Sequence, residues 1–318
     1  MSSEKVENGS FSVMALESGI KYATLEDAPD VPLLIEIVGI RPDDIAKISK
    51  HFEIDLEDLQ DVQDLDERPR LQIEDKFTMM VFRVPVDIIV AEREYSTNPI
   101  GIFTNGRDII VIQNDVVPLR KKRLRKKVQF GTTASEVIYR WLEIIIHSFE
   151  HTLDLIEDTI NKTEEDIMSD IYPSQLEWFF QLSRDAVFME TSLKANMKVL
   201  RRLMRFNIIG RMILDEDRLE ELEVDLQQQV ELSAIYRELI ENAMTAYDSI
   251  VSHNLNRVIK TLTSISLLVS VPTLIASIYG MNVGLPLEND PLAFFLIILV
   301  SLFITLPLLI ILRQKGLV

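Results

Sequence analysis

Two apolar segments near the end of the chain, residues 258–279 and 291–312, constrain everything else in it. Each is close to the ~20 residues that an α-helix needs to cross a bilayer. Backbone polar groups in hydrocarbon must be satisfied within the segment, so both are expected to be helical. The connecting residues, 280–290, are few, which makes the pair a hairpin with both flanks on one side. The chain is 47% hydrophobic and 26% charged. The two fractions coexist because they are segregated: from Val258 onward the only acids are Glu288 and Asp290.

Basic residues set the expected orientation. Arg257 and Lys260 lie at the start of the first span and Arg313 and Lys315 follow the second, whereas the link holds no Lys or Arg. Both termini are therefore expected in the cytoplasm and the link on the periplasmic or extracellular side of the cell membrane. The first residues lack the apolar stretch of a signal peptide, which agrees with this orientation.

The two spans differ in polarity. The second is apolar all round. The first contains Lys260, Thr261, Thr263, Ser264, Ser266, Ser270, Thr273 and Ser277, and polar groups at membrane depth usually face other helices or water. Upstream, no Gly or Pro occurs between Gly210 and Pro272. At ~1.5 Å per residue this run allows one helix on the order of 90 Å long, entering the membrane from the cytoplasm. Along it, Asn242, Thr245, Ser249, Ser252, Asn256, Ile259, Thr263, Ser266, Ser270, Thr273 and Ser277 recur in alternating steps of three and four. This is a heptad seam with small polar residues where a coiled coil places apolar ones. A water-filled pore on the axis of a symmetric helix ring fits that pattern. Close helix packing through small residues is the alternative, but the stripe continues below the membrane, where such packing is not required. Ile259 interrupts it, and an apolar ring there suits a constriction that gates by dewetting. Further down, Glu231, Ile235 and Glu238 fall on the same seam.

Residues 1–130 read as an α/β domain. Short β-rich runs occur at 33–38, 77–84, 100–103 and 108–112, and Thr104-Asn105-Gly106 suits a hairpin turn. Residues 42–51 have helix-start chemistry. Residues 131–257 read as a helical domain, with amphipathic helices at about 135–169 and 173–206 followed by the stalk helix. Residues 258–318 form the transmembrane hairpin. The fold class is thus α+β. The net charge of −17 argues against nucleic acid and favours cations. No cysteine is present, which excludes thiolate metal sites and disulfides. His147 and His151 lie one helical turn apart without a third ligand. Seven of the eight residues from Arg120 to Lys127 are basic, a solvated face or a surface for an acidic element or anionic lipid.

Ser277-Ile278-Tyr279-Gly280-Met281-Asn282 ends the first span. This resembles the CorA family of magnesium channels, whose signature is Gly-Met-Asn at the outer end of the first of two spans. Residues 37–44, 51–61 and 67–70 resemble the family's cytoplasmic pattern, so the likeness covers nearly the whole chain. It implies a funnel-shaped homopentamer whose first spans line the pore. Gly280, Met281 and Asn282 would then form the selectivity filter, with Glu288 and Asp290 at the outer mouth. Asn256, Ile259, Leu262, Thr263, Ser266, Ser270, Thr273 and Ser277 would line or gate the pore. The resemblance also implies regulatory Mg²⁺ between neighbouring cytoplasmic domains, with Gln60, Asp61 and Asp248 as the residues nearest the family's positions.

Mg²⁺ dehydrates reluctantly. A ring of Asn carbonyls accepts hydrogen bonds from a hydrated ion without stripping it, and conduction needs weak binding. The expected function is a channel for hydrated divalent cations, chiefly Mg²⁺, gated by intracellular Mg²⁺. Co²⁺, Ni²⁺ or Zn²⁺ transport on the same scaffold is one alternative, although the stripe lacks the Cys and clustered His that soft metals prefer. A membrane-anchored coiled-coil scaffold is the other. No phosphate loop, nucleophile motif or cofactor signature points to an enzyme or to nucleotide binding.

Overall fold

The structure, a computed structural model, describes residues 10–39, 41–86, 96–114, 133–169, 173–206, 208–209, 212–286 and 291–317. The chain divides into two compact units, Met1–Ala243 and Met244–Val318.

The first unit is built on a seven-stranded sheet. In chain order the elements are β1 (Ser10–Ala15), β2 (Lys21–Tyr22), β3 (Leu33–Val38), α1 (Pro42–Phe52), α2 (Leu56–Asp61), β4 (Arg70–Ile73), β5 (Thr78–Val86), β6 (Ser96–Thr104) and β7 (Ile109–Gln113). The strand order is β2-β1-β3-β7-β6-β5-β4, with β3 and β7 parallel and every other pair antiparallel. Two long helices follow, α3 (Ala134–Ser169) and α4 (Pro173–Phe206).

The central strands are buried on both faces, which is why they read as nearly continuous apolar runs. Leu33, Ile35, Ile37, Met79, Val81, Phe103, Ile110 and Ile112 point to one face, where Ile45 and Ile48 of α1 and Leu59 of α2 close the core. Their alternates Leu34, Met80, Phe82, Ile100, Ile102 and Val111 are equally buried on the other, where α3 packs on β5 and α4 on β4, β5 and β6. The result is a three-layer α/β/α sandwich.

Local chemistry fixes the elements. Pro42 opens α1, Asp43 and Asp44 occupy its first turn and Lys50 and His51 its last, each charge complementing the helix dipole. The β6–β7 turn runs over residues 105–108, longer than a two-residue hairpin. Asn105 Oδ1 accepts from the backbone N–H of Arg107 at 2.9 Å and of Asp108 at 2.7 Å, and Gly106 takes φ 90°. On the α4 side, Asn196 accepts from Arg83 N and donates to Arg83 O, both at 2.8 Å. It acts as a one-residue strand on the edge of β5 beyond the end of β4.

A small antiparallel pair, β8 (Ile208–Ile209) with β9 (Met212–Ile213), leads into α5 (Glu216–Tyr279). Asp215 Oδ1 accepts from Asp217 N at 3.1 Å at the start of this helix, the geometry of an N-cap. With 64 residues α5 is about 96 Å long at ~1.5 Å per residue. The second unit consists of its residues from Met244 onward, the turn after Tyr279 and α6 (Ala293–Gln314).

Gly101 in β6 is set by a close approach. A Cβ there would lie 2.5 Å from Val62 Cγ2, the residue that caps α2. Gly101→Val is expected to destabilise the first unit by about 1–3 kcal/mol through overpacking, read as a lower thermal midpoint.

Candidate functional site

The polar stripe lies on one face of α5. All eleven positions from Asn242 to Ser277 are exposed in the single chain. Within the second unit the less exposed positions of α5 beyond Arg257 are Ser264, Leu268, Val271, Pro272 and Ile275. At 100° per residue these fall on the side of the helix opposite the stripe. On α6 the matching positions are Ala293, Ile297, Ser301, Thr305, Leu308 and Leu312. α6 thus covers the back of α5, and Asn256, Ile259, Thr263, Ser266, Ser270, Thr273 and Ser277 remain clear. Leu262, one step off the seam, is 63% exposed and Ile259 is 52% exposed.

Three hydroxyls of the stripe have a defined polarity. Ser249 donates to Thr245 O at 3.0 Å, Ser270 to Leu267 O at 2.8 Å and Thr273 to Val269 O at 2.8 Å. Once its hydrogen is used on the helix's own carbonyl, a hydroxyl presents oxygen lone pairs outward. Acceptors are what the water shell of a cation requires, because coordinated water points its hydrogens away from the metal.

At the end of α5, Gly280 N reaches Ala276 O at 3.0 Å and Met281 N reaches Ile278 O at 3.2 Å, which closes the helix at Tyr279. Met281 and Asn282 are exposed just beyond it. A Cβ on Gly280 would meet only ordinary contacts, at 3.4 Å and 3.5 Å, so the chain's own packing does not demand glycine there. Glu288 and Asp290 lie outside the described residues, as does the basic run from Arg120 to Lys127.

Asp61 ends α2 and Gln60 precedes it. The sequence places Asp61 in an acidic face, and the structure gives that face a centre. Arg70 at the start of β4 pairs with Asp61 Oδ2 at 2.7 Å, with Glu67, and at 3.9 Å with Asp58. Burial raises the Asp58 carboxyl above the ordinary range against the pull of Arg70, and Asp55 and Asp61 push it the same way. Asp248 is exposed on α5 in the second unit. No three His, Asp or Glu side chains converge as a metal site among the described residues.

Sequence reasoning missed the clamps on the first half of α5. Arg218 pairs with Glu136 of α3 and lies over the Tyr139 ring, 4.2 Å from its centre. Arg201 of α4 reaches Glu223 at 2.6 Å. Tyr236 donates to Glu157 of α3 at 2.7 Å, and burial together with that carboxylate pushes its phenol up to about 12. Arg237 meets Glu190 of α4 at 2.7 Å, and Lys194 meets the same carboxylate. Burial alone would raise Glu190, but these two cations outweigh it and hold the carboxyl below its usual value. The signal in the sequence was only an excess of charge on the three helices, without partners.

Two of the helices, α5 and α6, are long and apolar enough to cross a membrane. Only 6% and 11% of their apolar windows are buried, so neither is the core helix of a soluble domain. An α/β/α unit joined through one long helix to a pair of membrane-length helices defines a two-span membrane protein. The chain belongs to the family of CorA-like Mg²⁺ transporter proteins, which it matches over residues 36–314. This is a family of transporters and not of enzymes. The chain is 27% identical over 289 residues to the cobalt/magnesium transport protein CorA of Methanocaldococcus jannaschii, covering 89% of this chain and 90% of that one. It is 23% identical over 261 residues to the protein of the same name from Thermotoga maritima, covering 79% and 73%. The complete structure of the Methanocaldococcus jannaschii CorA magnesium transporter superimposes with a TM-score of 0.82 at 25% identity, covering 97% of this chain and 98% of that one.

The Glu190 cluster makes a pH prediction. Its folded pKa lies below the unfolded value, so its contribution is full above about pH 4.5 and is lost as pH falls through the lower folded pKa. Glu190→Gln is expected to cost about 1.5–3 kcal/mol at neutral pH, the range for a hydrogen bond to a charged group. Its melting temperature should converge on that of the wild type in acid.

Proposed function

We propose that the chain assembles as a homopentamer that conducts hydrated divalent cations, chiefly Mg²⁺, through a pore lined by α5, and that intracellular Mg²⁺ gates it. The observation that supports this most strongly is the stripe itself, a row of small polar residues broken at Ile259, on the one face of α5 that α6 leaves clear, with Ser249, Ser270 and Thr273 presenting acceptor oxygens. Asn256, Thr263, Ser266, Ser270, Thr273 and Ser277 line the path, Ile259 and Leu262 form its constriction, and Gly280, Met281 and Asn282 form the filter. Glu288 and Asp290 in the link raise the local cation concentration at the outer mouth. Both termini lie in the cytoplasm, with residues 1–130 and 131–257 as the cytoplasmic α/β and helical parts of a funnel and residues 258–318 in the cell membrane.

Gln60, Asp61 and Asp248 take part in regulatory Mg²⁺ binding between subunits. The chemistry of the donors fits: Mg²⁺ keeps several waters and is held through one or two carboxylates, so a site shared by two chains needs only one such group from each. Asp61 retains an oxygen that Arg70 does not occupy. Bound there, the ion would cross-link neighbouring subunits by attraction to both carboxylates. A second cargo is Co²⁺, supported by the names of both relatives as cobalt/magnesium transport proteins. An ion that keeps its water shell passes a ring of acceptors with little regard to its own ligand preference.

In proteoliposomes, Asn282→Ala is expected to lower Mg²⁺ flux about tenfold or more, since each subunit loses one acceptor worth ~1 kcal/mol. Undiminished flux would remove Asn282 from the filter. Asp61→Ala should leave flux intact but demand several-fold more internal Mg²⁺ for closure. An unchanged inhibition curve would exclude Asp61 as a regulatory ligand.

A further inference from the structure

Ser264 is one of the eight polar residues of the first span, yet it does not belong to the stripe. It is 3% exposed and lies on the covered side of α5. Thr261 and Thr305 donate back to carbonyls of their own helices, as Ser249, Ser270 and Thr273 of the stripe do. Ser264 instead donates across to the backbone carbonyl of Leu317, beyond the end of α6, at 2.9 Å.

That carbonyl is held in place by a built turn. Gly316 adopts φ 65°, which glycine accepts without steric cost. Gly316 N bonds Arg313 O at 3.1 Å and Leu317 N bonds Leu312 O at 3.0 Å, the paired closure of a Schellman motif. Leu312, at 7% exposure, packs at the same level. The rest of the α5–α6 face is only half-buried. The hairpin is thus joined covalently at one end and most tightly at the Ser264–Leu317 contact near the other.

We propose that this hydrogen bond is a latch that positions α5 at the level of the constriction, with Ser264 as a positioning residue for gating. The inference rests on the reading of Ile259 and Leu262 as the constriction. Leu262 is two residues from Ser264 and Ile259 five, within about one and a half turns. On one stiff helix, a rotation or tilt that turns Ile259 away from the pore axis must also carry Ser264 away from the Leu317 carbonyl. With Ser264 only 3% exposed, water reaches its hydroxyl poorly, so the bond biases the helix toward the arrangement in which it is made. A hydrogen bond between membrane helices shifts such an equilibrium by about threefold on average, and the effect compounds when several subunits gate together.

The test uses Ser264→Val, which removes the hydroxyl, and Ser264→Thr, which matches valine in shape and keeps the hydroxyl. The chain has no cysteine, so spin labels placed at the exposed positions Ile265 and Ile311 by Ile265→Cys and Ile311→Cys report the α5–α6 separation directly. Labelled chains are diluted into unlabelled ones. Ser264→Val is expected to broaden or lengthen that distance, and to shift by threefold or more the internal Mg²⁺ that half-inhibits flux; Ser264→Thr should keep both wild type. An unchanged distance in Ser264→Val overturns the latch. A changed distance with an unchanged Mg²⁺ dependence overturns its positioning role. The distance arm needs no conduction, so a wild type that conducts nothing would instead sink the channel reading, and the positioning role with it.

Discussion

The unbroken course of α5 from the first unit into the second is the constraint on which the other features depend. The helix has to run from an aqueous, ion-paired environment into an apolar one without a break, because hydrocarbon offers its carbonyls and amides no other partner. Its two halves are therefore held by different means. Toward its start, charged and phenolic side chains tie it to α3 and α4, which works where water and counter-ions keep charges soluble. Toward its end its neighbour among the described residues is α6, and its less exposed positions there are Leu268, Val271, Pro272 and Ile275. Pro272 donates no backbone hydrogen bond, yet the helix continues through it to Tyr279.

The division of faces on α5 follows from that economy of neighbours. A single apolar partner helix can cover only about half of a helix surface. Whatever lies on the other half needs a second copy, lipid or water, and small polar residues favour water or close helix contact over lipid. Hydroxyls and amides suit a path for a strongly hydrated ion better than carboxylates, since they accept hydrogen bonds from its water without binding it tightly. The acids are kept off this stretch: from Asn242 to Ser277 the seam holds none.

The α/β/α unit solves a different problem, how to present carboxylates rigidly. α2 is pressed onto the sheet by Leu59 and Val62, both fully buried, and Gly101 gives the room. Arg70 then gathers Asp58, Asp61 and Glu67. An isolated surface ion pair contributes little. Three acids sharing one half-buried guanidinium instead define a local geometry, and they limit how many carboxylate oxygens remain open to a cation.

Much of this was legible in the sequence. The runs at 33–38, 77–84, 100–103 and 108–112 became β3, β5, β6 and β7, and the helices expected at about 135–169 and 173–206 became α3 and α4. Periodicity decides these elements because side-chain spacing and backbone geometry share one period. The heptad stripe was equally plain, since a helix converts spacing into a face whatever surrounds it. Three things were not legible. Which acids gather on Arg70 depends on how α2 and β4 meet across the core, and a linear run from Asp55 to Glu67 does not contain that. Arg237 reaches Glu190, and Tyr236 reaches Glu157, from tens of residues away, so charge patterning alone could pair Glu190 only with Lys194 on its own helix. Most tellingly, Ser264 looked like the other hydroxyls of its span. Sequence determined that α5 has a polar face; only the docking of α6 on its back, set by which apolar side chains fit together, decided which serine leaves that face and bonds to Leu317.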